Sequence, residues 1–164
     1  MASGDTLLVF HPYNNEPPAS NYATIDTRNS RPCLDFDATT NESAVFSSVM
    51  PQHYAGTTGV TVYIHYAMTS AEANTVDWDA AFELVGDQDL DIDGDDFAAV
   101  NSTDDTTVPG TTGLVDVISI AFTDGVDMDS VGAGDGFRLK ITRDAVSDDA
   151  TGDAELYWVE IRET

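Results

Sequence analysis

The sequence predicts an all-β protein, a single-domain antiparallel β-sandwich of jelly-roll type with about eight strands. Three observations lead there. Apolar residues recur with a period of two in run after run, the mark of strands with one buried face. The runs are separated by clusters of Pro, Gly, Asn, Asp and Thr, with no long helical period and no internal repeat. The connections differ widely in length, which suits a jelly roll better than an up-and-down barrel. At 164 residues the chain has the length of one domain and can bury a full core without disulfide or metal. Nothing in residues 1–164 reads as an interdomain linker.

Thr6–Phe10 is an apolar run stopped by His11 and Pro12, a first strand. Residues 11–21, with prolines at 12, 17 and 18, read as an irregular segment. Tyr22–Asp26 and Pro32–Phe36 are short strands around the turn Thr27–Arg31. Asp37–Ser43 is a polar turn, and Ala44–Met50 is a strand ended by Pro51. Gly59–Met68, rich in β-branched and aromatic residues, is the clearest strand of all. Thr75–Val85 alternates through Val76, Trp78, Ala80, Phe82 and Leu84, and is expected to pair with the strand before it. Residues 86–113 lose the rhythm and read as an acidic loop with room for one helical turn near Asp95–Val100. Leu114–Phe122 resumes strand character, and Thr123–Gly134 is a turn region anchored by Met128.

The last two runs are the ones the rest is organised around. Gly136–Arg143 alternates Phe137, Leu139 and Ile141 with Arg138, Lys140 and Thr142. Ala154–Arg162 sets Tyr157, Val159 and Ile161 on one face and Leu156 and Trp158 on the other. With the turn-forming residues 144–153 between them, the two runs predict a long hairpin with an exposed acidic tip. A strand apolar on both faces needs cover on both, so Leu156, Tyr157 and Trp158 are the candidate interface of a homo-oligomer.

Charge excludes whole classes of partner. Thirty acidic residues against six basic ones give a net charge of −24, which repels polyanions and argues against nucleic acid and anionic membrane surfaces. No apolar stretch approaches the length of a membrane span. The first residues lack a basic segment followed by an apolar run, so no signal peptide is expected and synthesis is placed in a cytoplasm. Four of the six basic residues, Arg138, Lys140, Arg143 and Arg162, fall in the terminal runs and are expected to be spent on carboxylates. Cys33 is the single cysteine and reads as a buried, inert thiol.

Chemical motifs are scarce. Asp89, Asp91, Asp93 and Asp95 match the opening of a calcium loop, where alternating carboxylates converge on a hard cation. The twelfth position is Val100 instead of a bidentate Glu, and no helical pair flanks the run, so a solvated acidic loop is the preferred reading and no cofactor is expected. His11, His53 and His65 have no metal-ligand spacing, and His65 reads as a sheet residue among aromatics. Ser47 and Ser48 lie in a strand, no Gly-x-Ser-x-Gly occurs, and the glycines at 132, 134 and 136 lack the Lys-Ser/Thr of a phosphate loop. Carboxylates are too abundant for any pair to point to glycoside hydrolysis. The rings of Tyr13, Tyr22, Tyr54, Tyr63, Tyr66, Tyr157, Trp78 and Trp158 can form a sugar-stacking platform, although aromatics in strands serve more often as core.

Phe137–Asp144, the Asp-rich segment after it and Thr151–Ile161 resemble the terminal hairpin of small jelly-roll proteins of tailed-phage virions, where an "RxxRD" strand end is followed by "TGDA" and an apolar strand. Asn15–Asn29 and Leu34–Asp37 are similar to uncharacterised phage and prophage proteins. The resemblance implies a non-enzymatic virion component, above all a capsid decoration or cement protein. Its partners would be other virion proteins such as the major capsid protein, with trimers favoured. The alternative is a carbohydrate-binding jelly-roll module on a tail or fibre. No ligand or catalytic residue comes with the resemblance.

Overall fold

The computed structural model describes residues 4–164. They form ten strands: β1 (Thr6–Phe10), β2 (Thr24–Arg28), β3 (Arg31–Phe36), β4 (Glu42–Val49), β5 (Val60–Met68), β6 (Thr75–Val85), β7 (Asn101–Thr107), β8 (Val115–Phe122), β9 (Gly136–Arg143) and β10 (Ala154–Glu163). Two three-residue 3-10 turns, Pro12–Asn14 and Val126–Met128, are the only helical elements among the described residues. One sheet runs β2-β3-β10-β5-β8, with β1 also paired to β10; the other runs β4-β9-β6-β7. Every strand pair is antiparallel. The result is the antiparallel sandwich of jelly-roll character that the alternation predicts.

The two sheets face each other across one core. Phe36 of β3 meets Trp78 of β6 edge-on at 5.2 Å between ring centroids, and Tyr66 of β5 packs on the same indole at 5.2 Å. Phe10 of β1 stacks on Phe46 of β4 at 5.3 Å, and Phe82 of β6 meets Phe122 of β8 at 4.9 Å. Each of these pairs joins one sheet to the other, so the aromatic residues act as cross-ties as well as filler. Met128 is fully buried beneath its turn, as its place in the sequence suggested.

Three expectations about pairing are corrected. The terminal runs do not form a hairpin: β9 lies between β4 and β6, whereas β10 lies in the opposite sheet beside β3, β1 and β5. Residues 144–153 therefore cross from one sheet to the other, and Arg143 holds the crossing. Its guanidinium is completely buried and donates to Asp148 at 2.8 and 3.3 Å and to the carbonyls of Phe36, Ala150 and Gly152 at 3.3, 3.1 and 2.8 Å. Likewise β5 and β6 are not partners; β5 sits between β10 and β8, and β6 between β9 and β7. Finally, the stretch expected to be loop contains β7, while Asp95–Val100 carries no helical turn. Alternation reports which face of a strand is dry, not which neighbour it has, and β7 (NSTDDTT) is an edge strand with no apolar face to report.

Candidate functional site

The site begins with a fault in a strand. Along β10, Ala154, Glu155 and Leu156 pair with Phe36, Asp35 and Leu34 of β3. Further on, Val159–Arg162 pair with β1 instead. On the other side of β10, Leu156 lies opposite Tyr66 but Trp158, not Tyr157, lies opposite His65. Tyr157 is thus the extra residue of a β-bulge, placed where the neighbouring strand changes from β3 to β1. The bulge resets the alternation. Leu156, Val159 and Ile161 all enter the core, while Tyr157 and Trp158 both emerge on the outer face of the six-stranded sheet. The expected sharing of a face by Tyr157, Val159 and Ile161 is corrected accordingly.

The expected interface set divides in the same way. Leu156 has no exposed surface and is core. Tyr157 is mostly covered, packing on Cys33 and Ala67 in a small apolar cluster on the outer face. Trp158 is 39% exposed, with His65 edge-on at 5.9 Å. The second cover that β10 requires is supplied from within the chain.

Around Trp158 lies a groove. Its deeper part, about 380 Å³, is lined by His11, Pro12, Tyr13, Arg31, Pro32, Tyr157 and Trp158. An adjoining hollow of about 250 Å³ shares Arg31, Tyr157 and Trp158 and adds Arg28, Asn29, Gly113 and Val115. A second hollow of about 250 Å³ continues from Pro12 and Tyr13 to Tyr22 and Ile25. The local sequence accounts for this shape. Pro12 starts the 3-10 turn that carries Tyr13 away from β1, and Asn29 and Ser30 take left-handed φ values of 48° and 63° in the two-residue turn joining β2 to β3. Both turns stand at the end of a strand that flanks the bulge. Tyr13 is 71% exposed and Tyr22 45% exposed, so three rings present surface along one side of the molecule.

Of the eight aromatics that sequence offered as a platform, Tyr54, Tyr66 and Trp78 are core. Tyr63 lies under Arg162, whose guanidinium carbon is 4.1 Å from the ring centroid. Tyr13, Tyr22 and Trp158 remain, with Tyr157 as the floor. Burial pushes the Tyr157 phenol up to about 12 and the Cys33 thiol beneath it up to about 12. Both groups are neutral at physiological pH and form an apolar base for the groove.

Polar groups are few. Arg28 donates to Glu155 at 2.6 Å and to the Met68 carbonyl at 3.3 Å, and its contact with Glu155 raises its pKa further. Arg31 is exposed and, among the described residues, makes no hydrogen bond or ion pair. The basic residues of the terminal strands are engaged elsewhere. Arg138 binds Glu83 and Asp95 at 2.8 and 2.6 Å, and Arg162 binds Glu160 at 2.7 Å. Lys140 stands 4.3 Å from the centroid of Phe97 instead of beside a carboxylate.

The acidic loop lies against the other sheet. Asp89, Asp91, Asp93 and Asp95 are all exposed. Asp95 is turned to Arg138, and Asp91 accepts from the backbone of Asp93 at 3.1 Å. Among the described residues no three His, Cys, Asp or Glu side chains are grouped to hold a metal ion. A cleft of about 410 Å³ under this loop is lined by Leu90, Ile92, Val85, Phe137 and Arg138, among others. It offers no exposed ring, and its arginine already has two carboxylate partners. For a ligand recognised by stacking, the groove at Trp158 is the better equipped of the two.

No family model and no curated protein sequence matches the chain. Solved structures match in fold. A family 35 carbohydrate-binding module from an environmental isolate superposes with a TM-score of 0.54 at 10% identity, covering 94% of this chain and 92% of that one. The CBM22-1 xylan-binding domain of Paenibacillus barcinonensis Xyn10C gives 0.53 at 11% identity, covering 99% and 96%. An arabinose-bound GH51 α-L-arabinofuranosidase gives 0.53 at 11% identity, with 91% of this chain on 23% of the enzyme. At such identities the likeness is one of fold.

Proposed function

We propose that this protein is a non-catalytic module that binds carbohydrate in the groove at Trp158. The observation that carries the reading is the bulge at Tyr157, which spends a residue of a central strand to bring an indole out of the core beside Tyr13 and Tyr22. Sugars present flat C–H faces between hydroxyl groups, and exposed rings flanked by a few hydrogen-bonding groups suit them. Two of the fold neighbours carry printed names of carbohydrate-binding and xylan-binding modules, which supports the reading by analogy of fold alone.

The test is a glycan array and affinity electrophoresis with the intact protein and with Trp158→Ala. The intact protein retards on at least one polysaccharide. Trp158→Ala loses about tenfold or more of that affinity, as expected when a central aromatic anchor is removed, while its melting temperature is kept. Absence of binding across the array refutes the reading. So does an unchanged affinity in a double Trp158→Ala, Tyr13→Ala variant.

The virion role stands second. Nothing in the comparisons links the chain to virion proteins, and the segments that suggested it belong to two different sheets. Location of the chain in the density of a mature particle would put that role first again, with the groove then serving a tail or fibre.

A further inference from the structure

Resting on the glycan reading, we infer that the ligand is an acidic sugar, a uronic acid or sulfated residue, whose anionic group is received by Arg31. The chain has six basic residues among thirty acidic ones, so most cations find a carboxylate. Arg28, Arg138, Arg143 and Arg162 each do so at 2.6 to 2.8 Å, and Lys140 covers Phe97. Arg31 alone among the described residues has no polar or aromatic partner. Its position makes this more pointed. Arg31 is the cross-strand partner of Arg28, and like charges directly opposite each other in a sheet repel. Glu155 neutralises Arg28 and nothing neutralises Arg31, so the hairpin ends in an uncompensated charge.

That charge sits in the groove. Arg31 lines both the deeper part, beside Tyr13, Pro32 and Trp158, and the adjoining hollow beside Val115 and Gly113. A planar guanidinium matches carboxylate and sulfate oxygens with two parallel hydrogen bonds, a geometry that an ammonium does not offer. A sugar stacked on Trp158 or Tyr13 places its substituents at the ring edge, toward the Arg31 end of the cleft. The net charge of −24 acts against approach of a polyanion at low salt. At physiological ionic strength screening confines that repulsion to about 8 Å, and the pair of arginines dominates nearby.

The experiment measures binding at 0.15 M salt to matched pairs: polygalacturonate and its methyl ester, glucuronoxylan and its carboxyl-reduced form, dextran sulfate and dextran. The expected result is binding to the charged member of at least one pair about tenfold or more above its neutral counterpart. That preference is lost in Arg31→Gln and partly kept in Arg31→Lys, with the melting temperature of both variants unchanged. The first two pairs report carboxylate recognition and the third reports sulfate. Equal binding to both members of every pair, or a preference that survives Arg31→Gln, overturns the acidic-sugar inference and leaves the glycan reading standing. No binding to any polysaccharide overturns both.

Discussion

Replacing Arg143 with methionine is expected to cost this protein a large part of its stability. The side chain is wholly buried, and so is the Asp148 carboxylate that receives two of its hydrogen bonds. Three carbonyls, of Phe36, Ala150 and Gly152, depend on the same guanidinium. Methionine fills much of the space but leaves Asp148 as a buried charge without a counterion. Breaking a buried ion pair from one side typically costs about 3–5 kcal/mol, against a total of about 5–15 kcal/mol for a domain. Unfolding entropy of about 2.1 cal/mol/K per residue over 164 residues converts a loss of about 4 kcal/mol into a melting temperature lower by about 12 °C. Calorimetry or circular dichroism reads this directly. Arg143→Met combined with Asp148→Leu removes both charges and recovers at least half of the loss, because the stranded carboxylate, more than the missing bonds, is the source of the penalty. A single variant that melts within about 3 °C of the parent, or a double variant worse than Arg143→Met, refutes the argument.

Other outcomes follow from the same coordinates. Burial, with help from Asp153, Glu155, Asp26 and Glu42, lifts the Asp35 carboxyl to about 6, and one of its oxygens has no hydrogen-bond partner. The folded state therefore holds this proton more tightly than the unfolded chain, and Asp35 costs stability as pH rises from about 4 through 6. Asp35→Asn should melt higher than the parent at pH 8, with the gap narrowing below pH 6; equal melting at all pH values contradicts this. Glu160 behaves oppositely: the hydrogen bond from Arg162 holds it down at about 2, so its contribution is complete above the normal carboxylate range and fades as pH falls toward 2. With net charge −24, the melting temperature should climb between low salt and 1 M NaCl, and calcium should add nothing beyond its ionic strength; a saturable effect at micromolar calcium, abolished by Asp91→Asn with Asp93→Asn, contradicts the latter half. Cys33 is fully buried and should resist a thiol reagent until the protein unfolds; rapid labelling of native protein contradicts its placement.

Much of the fold was legible from pattern. Thr75–Val85 appears with the bounds that its alternation implied, and Val60–Met68 differs from its expected span by one residue. These strands have one strongly apolar face, and burial of that face is what the alternation records. Pairing was less legible. The run from Gly136 to Arg143 and the run from Ala154 to Glu163 looked like a hairpin because short polar segments usually close one. The deciding contacts, Arg143 with Phe36 and with Asp148, join residues up to 107 positions apart. The groove was half legible. Trp158, Tyr13 and Tyr22 stood among eight candidate rings, and nothing local distinguished them from Trp78 or Tyr66. Arg31 was not singled out, although an Arg on each side of an Asn-Ser turn in so acidic a chain was a signal in hindsight, since β-hairpin geometry sets those two residues opposite each other.

The extra residue in β10 has a consequence for how this protein can vary. Val159 and Ile161 reach the core only because the strand carries one residue more than its neighbour on that stretch. Deleting the codon for Tyr157 would restore simple alternation. It would also shift every later residue of β10 by one, sending Val159 and Ile161 toward solvent and Glu160 inward. Side chains in the groove can thus be exchanged one at a time, and ligand preference can drift by substitution at Tyr13, Arg31 or Trp158. The length of the strand between Leu156 and Val159 cannot change without loss of the fold. Across a lineage, this stretch should tolerate many letters and no gaps.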